Sequence, residues 1–84
     1  MSEIAQAVRD QLRAEFLADR PDMELADDLD LIEAQIIDSL GIFIMVAFLE
    51  TRFGVSIEGD DINPQNFETV PAMTSLVERA QAAS

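Results

Sequence analysis

Few residues in this chain could do chemistry, and Ser39 is the first to consider. It lies in the run Ile36-Ile37-Asp38-Ser39-Leu40-Gly41, between an acidic stretch and an apolar one. The sequence has no His, Cys, Lys, Tyr or Trp. That removes most general bases, every thiol nucleophile, the Schiff-base amine and the imidazole metal ligand. Ser39 therefore cannot act as a triad serine: nothing present would deprotonate it, and its surroundings are not G-x-S-x-G. A hydroxyl at the start of a helix has two other uses. It can cap the helix, or it can carry a phosphate, which the free N–H groups and the positive end of the helix dipole favour. A phosphate there would have to be attached by another enzyme.

The second candidate is the acidic window from Asp22 to Glu33, set against a calcium-binding loop. Asp22, Glu24, Asp30 and Glu33 fall at its first, third, ninth and twelfth positions. The sixth position, where such a loop needs glycine for its sharp turn, is Asp27, and the fifth is Ala26. The match fails at the turn, and no metal site is expected. A two-carboxylate hydrolase would need a substrate cleft that a chain of this size does not readily provide, so an enzyme is not expected.

The elements that must position Ser39 follow from periodicity. Ile4, Val8, Leu12 and Phe16 recur every four residues with charged residues opposite, which predicts an amphipathic helix over about 3–19. Ser2 could cap it, and Arg20-Pro21 would end it. Residues 20–37 carry six acidic side chains and the aliphatic anchors Leu25, Leu29, Leu31, Ile32, Ile36 and Ile37 without a sustained period. This reads as a long ordered loop, a feature often functional in a small domain. The apolar octet 42–49 could be a buried strand or a helix. A cap at Asp38 or Ser39, continuation to Phe53 and a C′ glycine at Gly54 favour a helix. Asn63-Pro64 opens a short third helix, and Thr69 caps a fourth with Pro71 in its first turn. The fold class is all-α: a four-helix bundle with a long first loop and a short third helix. The expected core is Ile4, Val8, Leu12, Phe16, Leu31, Phe43, Val46, Leu49, Phe53, Ile62, Phe67, Leu76 and Val77.

Eighty-four residues allow one core, hence one domain over 1–84, with a radius of gyration of ~12 Å. Seventeen acidic residues against five arginines give a net charge of −12. Nucleic acid and anionic membranes would be repelled, and basic protein surfaces attracted. The longest apolar run is far short of the ~20 residues that span a bilayer, and the first residues do not form a secretory signal. A cytoplasmic monomer is expected.

The order of these elements, with Leu31-Ile32-Glu33, Ile36-Ile37-Asp38-Ser39-Leu40-Gly41, Phe48-Leu49-Glu50-Thr51-Arg52-Phe53-Gly54-Val55 and Ile62-Asn63-Pro64 with Asn66-Phe67, resembles the acyl carrier protein family over nearly the whole chain. The resemblance implies a 4′-phosphopantetheine arm, derived from coenzyme A, on Ser39. Its thiol would carry acyl or aminoacyl groups as thioesters. It implies that Asp38 caps the helix and helps the holo-synthase place coenzyme A and its magnesium, and that Leu40 packs under the arm and contacts partners. The implied partners are a phosphopantetheinyl transferase, an acyl- or aminoacyl-loading ligase and a downstream transferase or synthase. The family's broad setting is fatty acid biosynthesis and lipid metabolism.

Departures from the family pattern shift that expectation. Fatty-acid carriers usually place acidic residues where this chain has Gly41 and Ile44, which tells against docking to fatty-acid synthase enzymes. Ile37-Asp38-Ser39-Leu40-Gly41, with Phe53-Gly54-Val55 after the helix, more closely resembles stand-alone carriers of specialised pathways, including D-alanyl and other aminoacyl carriers. Leu40, Gly41, Ile44 and Phe48 are the expected recognition residues, with Ile44 and Phe48 forming either an apolar docking strip or part of the core. The reading from another class is an unmodified acidic helical adaptor that binds a protein through the central helix, with Ser39 only a cap.

Overall fold

The computed structural model describes residues 3–83. Four α-helices follow in order: α1 (Glu3–Phe16), α2 (Ser39–Phe53), α3 (Pro64–Phe67) and α4 (Val70–Ala83), with a 3₁₀ turn at Gly59–Asp61 before α3. No strand occurs among the described residues, so the apolar octet is helical and the all-α expectation holds. The suggested Ser2 cap lies outside the described residues. The radius of gyration is 11.9 Å.

Local signals in the sequence set most helix ends. The Asp38 side chain caps α2, and Gly54 closes it in the left-handed region at φ 65°, where a Cβ would be strained. Asn63 accepts from Asn66 N–H at the head of α3, with Pro64 at the first position. Thr69 Oγ1 accepts from Ala72 N–H and caps α4. The end of α1 differs from expectation, at Phe16 rather than near residue 19. Pro21 bars Arg20 from the α region, and the chain leaves the helix early through a turn closed by Arg20 N–H on the Leu17 carbonyl. That turn buries Leu17 in the core.

The long connection between α1 and α2 is ordered by anchors and hydrogen bonds. Leu25, Leu31, Ile36 and Ile37 are buried. Two α1 arginines hold its outer part: Arg9 pairs with Asp27 and donates to the Leu25 carbonyl, and Arg13 donates to the Met23 carbonyl. Leu31 N–H donates to the Glu68 carbonyl at 2.6 Å, tying the loop to the α3–α4 junction.

Eight of the thirteen expected core residues are buried, and Ile4, Phe16, Phe53 and Ile62 pack half-buried at its margin. Phe43 is the correction: it is 60% exposed. Because α2 is apolar on every side, periodicity cannot choose its inner face. The buried face is Gly41, Met45, Val46 and Leu49, and Phe43 lies two residues, about 200°, around the helix from Met45. Met45, Met73 and Val70, absent from the expected core, are fully enclosed.

This assignment predicts opposite outcomes for two α2 residues. Leu49→Ala, which empties a fully enclosed site, should cost about 2–5 kcal/mol in urea unfolding. Phe43→Ala should stay within about 0.5 kcal/mol of the parent, as surface substitutions do.

Candidate functional site

The site is built by the way the loop delivers the chain to α2. Asp30 Oδ1 accepts from the N–H groups of Ile32 and Glu33, each at 3.0 Å, nucleating a turn over 30–34. Gln35 then adopts φ 61°, a left-handed conformation uncommon outside glycine. This reversal lets Ile36 and Ile37 donate to the same carbonyl, that of Leu31, and both side chains drop into the core. Asp38 is left in extended conformation at the head of α2.

Asp38 is exposed, and its Oδ1 accepts from Gly41 N–H at 2.8 Å, while its carbonyl accepts from Ile42 N–H. One residue thus satisfies two donors of the first turn and sets a negative charge at the positive end of the helix dipole. Of the two residues that could cap α2, Asp38 is the one used. Ser39, the first residue of the helix, is exposed, and its hydroxyl has no hydrogen-bond partner among the described residues. It is free for chemistry performed from outside.

Beside Ser39 lies an open groove of about 650 Å³. Its walls come from α2 (Leu40, Gly41, Ile44), the loop (Ile32, Gln35, Ile36), the end of α1 (Phe16) and the start of α3 (Pro64). Apart from Asp38 the lining carries no charge. An exposed hydroxyl above an apolar trough can anchor a chain-like group whose stem lies along the protein, and these residues fit a phosphopantetheine arm in that sense. Among the described residues, no three acidic side chains converge where a metal ion could be held.

The expected recognition residues divide. Leu40 is 68% exposed, and Ile44 is half-buried in the groove wall. Gly41 is buried: a Cβ there would stand 3.1 Å from Ile37 Cγ2 and 3.2 Å from Phe16 Cε1, so its lack of a side chain serves close packing of α2 on α1 and the loop. Phe48 is not part of the Ser39 groove. It is half-buried, edge-on to Phe53 with centroids 6.4 Å apart, and borders a separate depression with Glu3, Gln6 and Arg52. Sequence reasoning missed Phe43 as a surface residue, although Leu40, Phe43 and Ala47 at i, i+3 and i+7 already mark one helix face. The groove residues Phe16, Gln35 and Pro64 carried no sequence signal of that role, because they come together only through the loop's reversal.

No family model matches this chain. The chain is similar to a probable acyl carrier protein, PigG, of Serratia sp. (strain ATCC 39006), with 46% identity over 52 residues, 62% of this chain and 60% of that protein. The matched part thus spans about three-fifths of the relative's length. The likeness supports the acyl carrier protein family, which the residues around Ser39 already resemble.

The capping arrangement separates Asp38 from Ser39 by stability. Asp38→Ala should lower stability by about 1 kcal/mol, read as a lower thermal midpoint, through loss of the bond to Gly41 N–H. Ser39→Ala should leave the midpoint within about 2 °C, since no cap is lost. Equal losses in the two variants would contradict the assignment.

Proposed function

We propose that this chain is an acyl carrier protein, one carrier domain over 1–84, that holds acyl or aminoacyl groups as thioesters on a 4′-phosphopantetheine arm attached to Ser39. The observation that carries the reading is the exposed hydroxyl of Ser39, at the head of a helix already capped by its neighbour and beside an apolar groove. Likeness to a probable acyl carrier protein supports it. The arm would supply the thiol that the chain lacks.

In this reading, a phosphopantetheinyl transferase brings Ser39 Oγ to the β-phosphorus of coenzyme A. A base of the transferase takes the hydroxyl proton, the Oγ–P bond forms, and the phosphoanhydride bond to the leaving adenosine 3′,5′-bisphosphate breaks. Asp38 fixes the serine's backbone by holding the first turn, and its exposed position lets it face coenzyme A and magnesium in the transferase. Leu40 and Ile44 line the path of the arm. The chain itself does no catalysis; a loading ligase and a downstream transferase or synthase act on the cargo. Gly41 and Ile44, in place of acidic residues, favour a specialised pathway, including aminoacyl transfer, over housekeeping fatty-acid synthesis. A cytoplasmic monomer fits this role, and among the described residues no helix is long and apolar enough to cross a membrane. The unmodified-adaptor reading leaves the unengaged Ser39 hydroxyl without a purpose, because Asp38 does the capping.

The test is the intact mass of the purified protein before and after incubation with coenzyme A, magnesium and a broad-specificity phosphopantetheinyl transferase. A gain of one phosphopantetheine, absent in Ser39→Ala, is expected. No gain under conditions that fully modify another carrier would contradict the proposal.

A further inference from the structure

Gln35 stands at the turn that delivers the chain to α2, and its side chain has no task in the fold. Its backbone is left-handed at φ 61°, and no other non-glycine residue among those described is so placed. Glycine adopts that region freely, and Asn or Asp visits it more readily than Gln, so the backbone alone favours no long side chain here. The side chain is nevertheless present and exposed, and its amide has no hydrogen-bond partner among the described residues. What Gln35 gives the turn comes from its backbone, whose N–H donates to the Ile32 carbonyl at 3.0 Å. A strained position kept by a residue whose side chain does nothing for the fold points to a task outside the fold.

Gln35 also lines the groove beside Ser39, where the other polar side chains are Asp38 and Ser39 itself. Once an arm is attached, Ser39 Oγ is taken up in the phosphodiester. Asp38 can only accept, its Oδ1 already holds Gly41 N–H, and its charge repels the phosphodiester next to it. Gln35 is left as the lining side chain that can both donate and accept. That matches what an arm in this groove needs. Its methyl and methylene groups suit the walls made by Phe16, Ile32 and Ile36, but its amides would lose water in an apolar trough unless a polar group answers them. We infer that the Gln35 side-chain amide hydrogen-bonds an amide of the phosphopantetheine arm and holds the arm's stem in the groove. The inference rests on the carrier reading and deepens it. Gln35 is a positioning residue for the arm, placed in the groove wall by its left-handed backbone.

The test is NMR of the arm-bearing protein, with an isotope-labelled arm, which reads the arm itself rather than any activity. In the parent, the Gln35 side-chain N–H resonances should shift on arm attachment and show cross-relaxation to arm protons, and an arm amide should be less mobile than in free pantetheine. Gln35→Gly removes the amide while adopting the left-handed backbone freely, so its thermal midpoint should not fall. Its ratio of docked to free arm should drop about two- to tenfold, the weight of one net hydrogen bond. Gln35→Asn, which returns an amide on a residue type tolerant of this backbone, should restore part of that loss. Gln35 resonances unmoved by attachment, or arm amides equally mobile in the parent and in Gln35→Gly, would overturn the inference. A parent chain that takes up no arm at all overturns the carrier reading, and the role of Gln35 falls with it. That outcome is distinguishable because it precedes any comparison of variants.

Discussion

The hydrogen bond from Gly41 N–H to the Asp38 carboxylate fixes where α2 begins, and the site follows from it. With the cap supplied by Asp38, the next residue enters the helix with its hydroxyl unengaged. The bond is reinforced from below. Gly41 lets the first turn settle against Phe16 and Ile37, closer than any side chain at that position would comfortably allow. Cap and contact together hold the head of α2 between α1 and the loop. Ser39 is thereby presented to solvent at a fixed place on the rim of an apolar groove.

The loop is what makes this placement possible, and its acidic residues have unequal tasks. Asp30 caps an internal turn and Asp27 pairs with Arg9, so both help to shape the chain. Four of the five arginines are similarly engaged within the molecule. Arg9 and Arg13 clamp the loop, Arg52 lies over the Phe53 ring, and Arg79 donates to Asn66. Their cationic groups serve the fold, while most carboxylates face water and set the long-range field. Against that field, the neutral face of α2 is the exception.

Much of this arrangement was legible in the sequence where a residue's local chemistry decides the outcome. Gly54 at a helix end, Asn63-Pro64 at a helix start and Thr69 before the last helix each act within one turn, and each does what its residue type implies. The Asp38-Ser39 pair was legible as the place of the α2 cap, and the structure shows that Asp38 supplies the cap and leaves the Ser39 hydroxyl unengaged. Faces were legible on α1, whose polar and apolar sides differ. They were not legible on α2, where Phe43 and Met45 are equally apolar and only packing against the rest of the chain puts one outside and one inside. The groove was illegible for a different reason. Its walls come from α1, the loop, α2 and α3, brought together by a left-handed Gln35 that no local pattern announced.

The most direct measurement of the central claim is made on the protein from its own cell rather than on a reconstituted reaction. Purified from that source, the peptide containing Ser39 can be fragmented by tandem mass spectrometry. A phosphopantetheine, free or bearing a thioester-linked group, on Ser39 in a substantial fraction of the molecules is the predicted result. A peptide found wholly unmodified at Ser39, in cells whose other carriers are modified, would contradict the account.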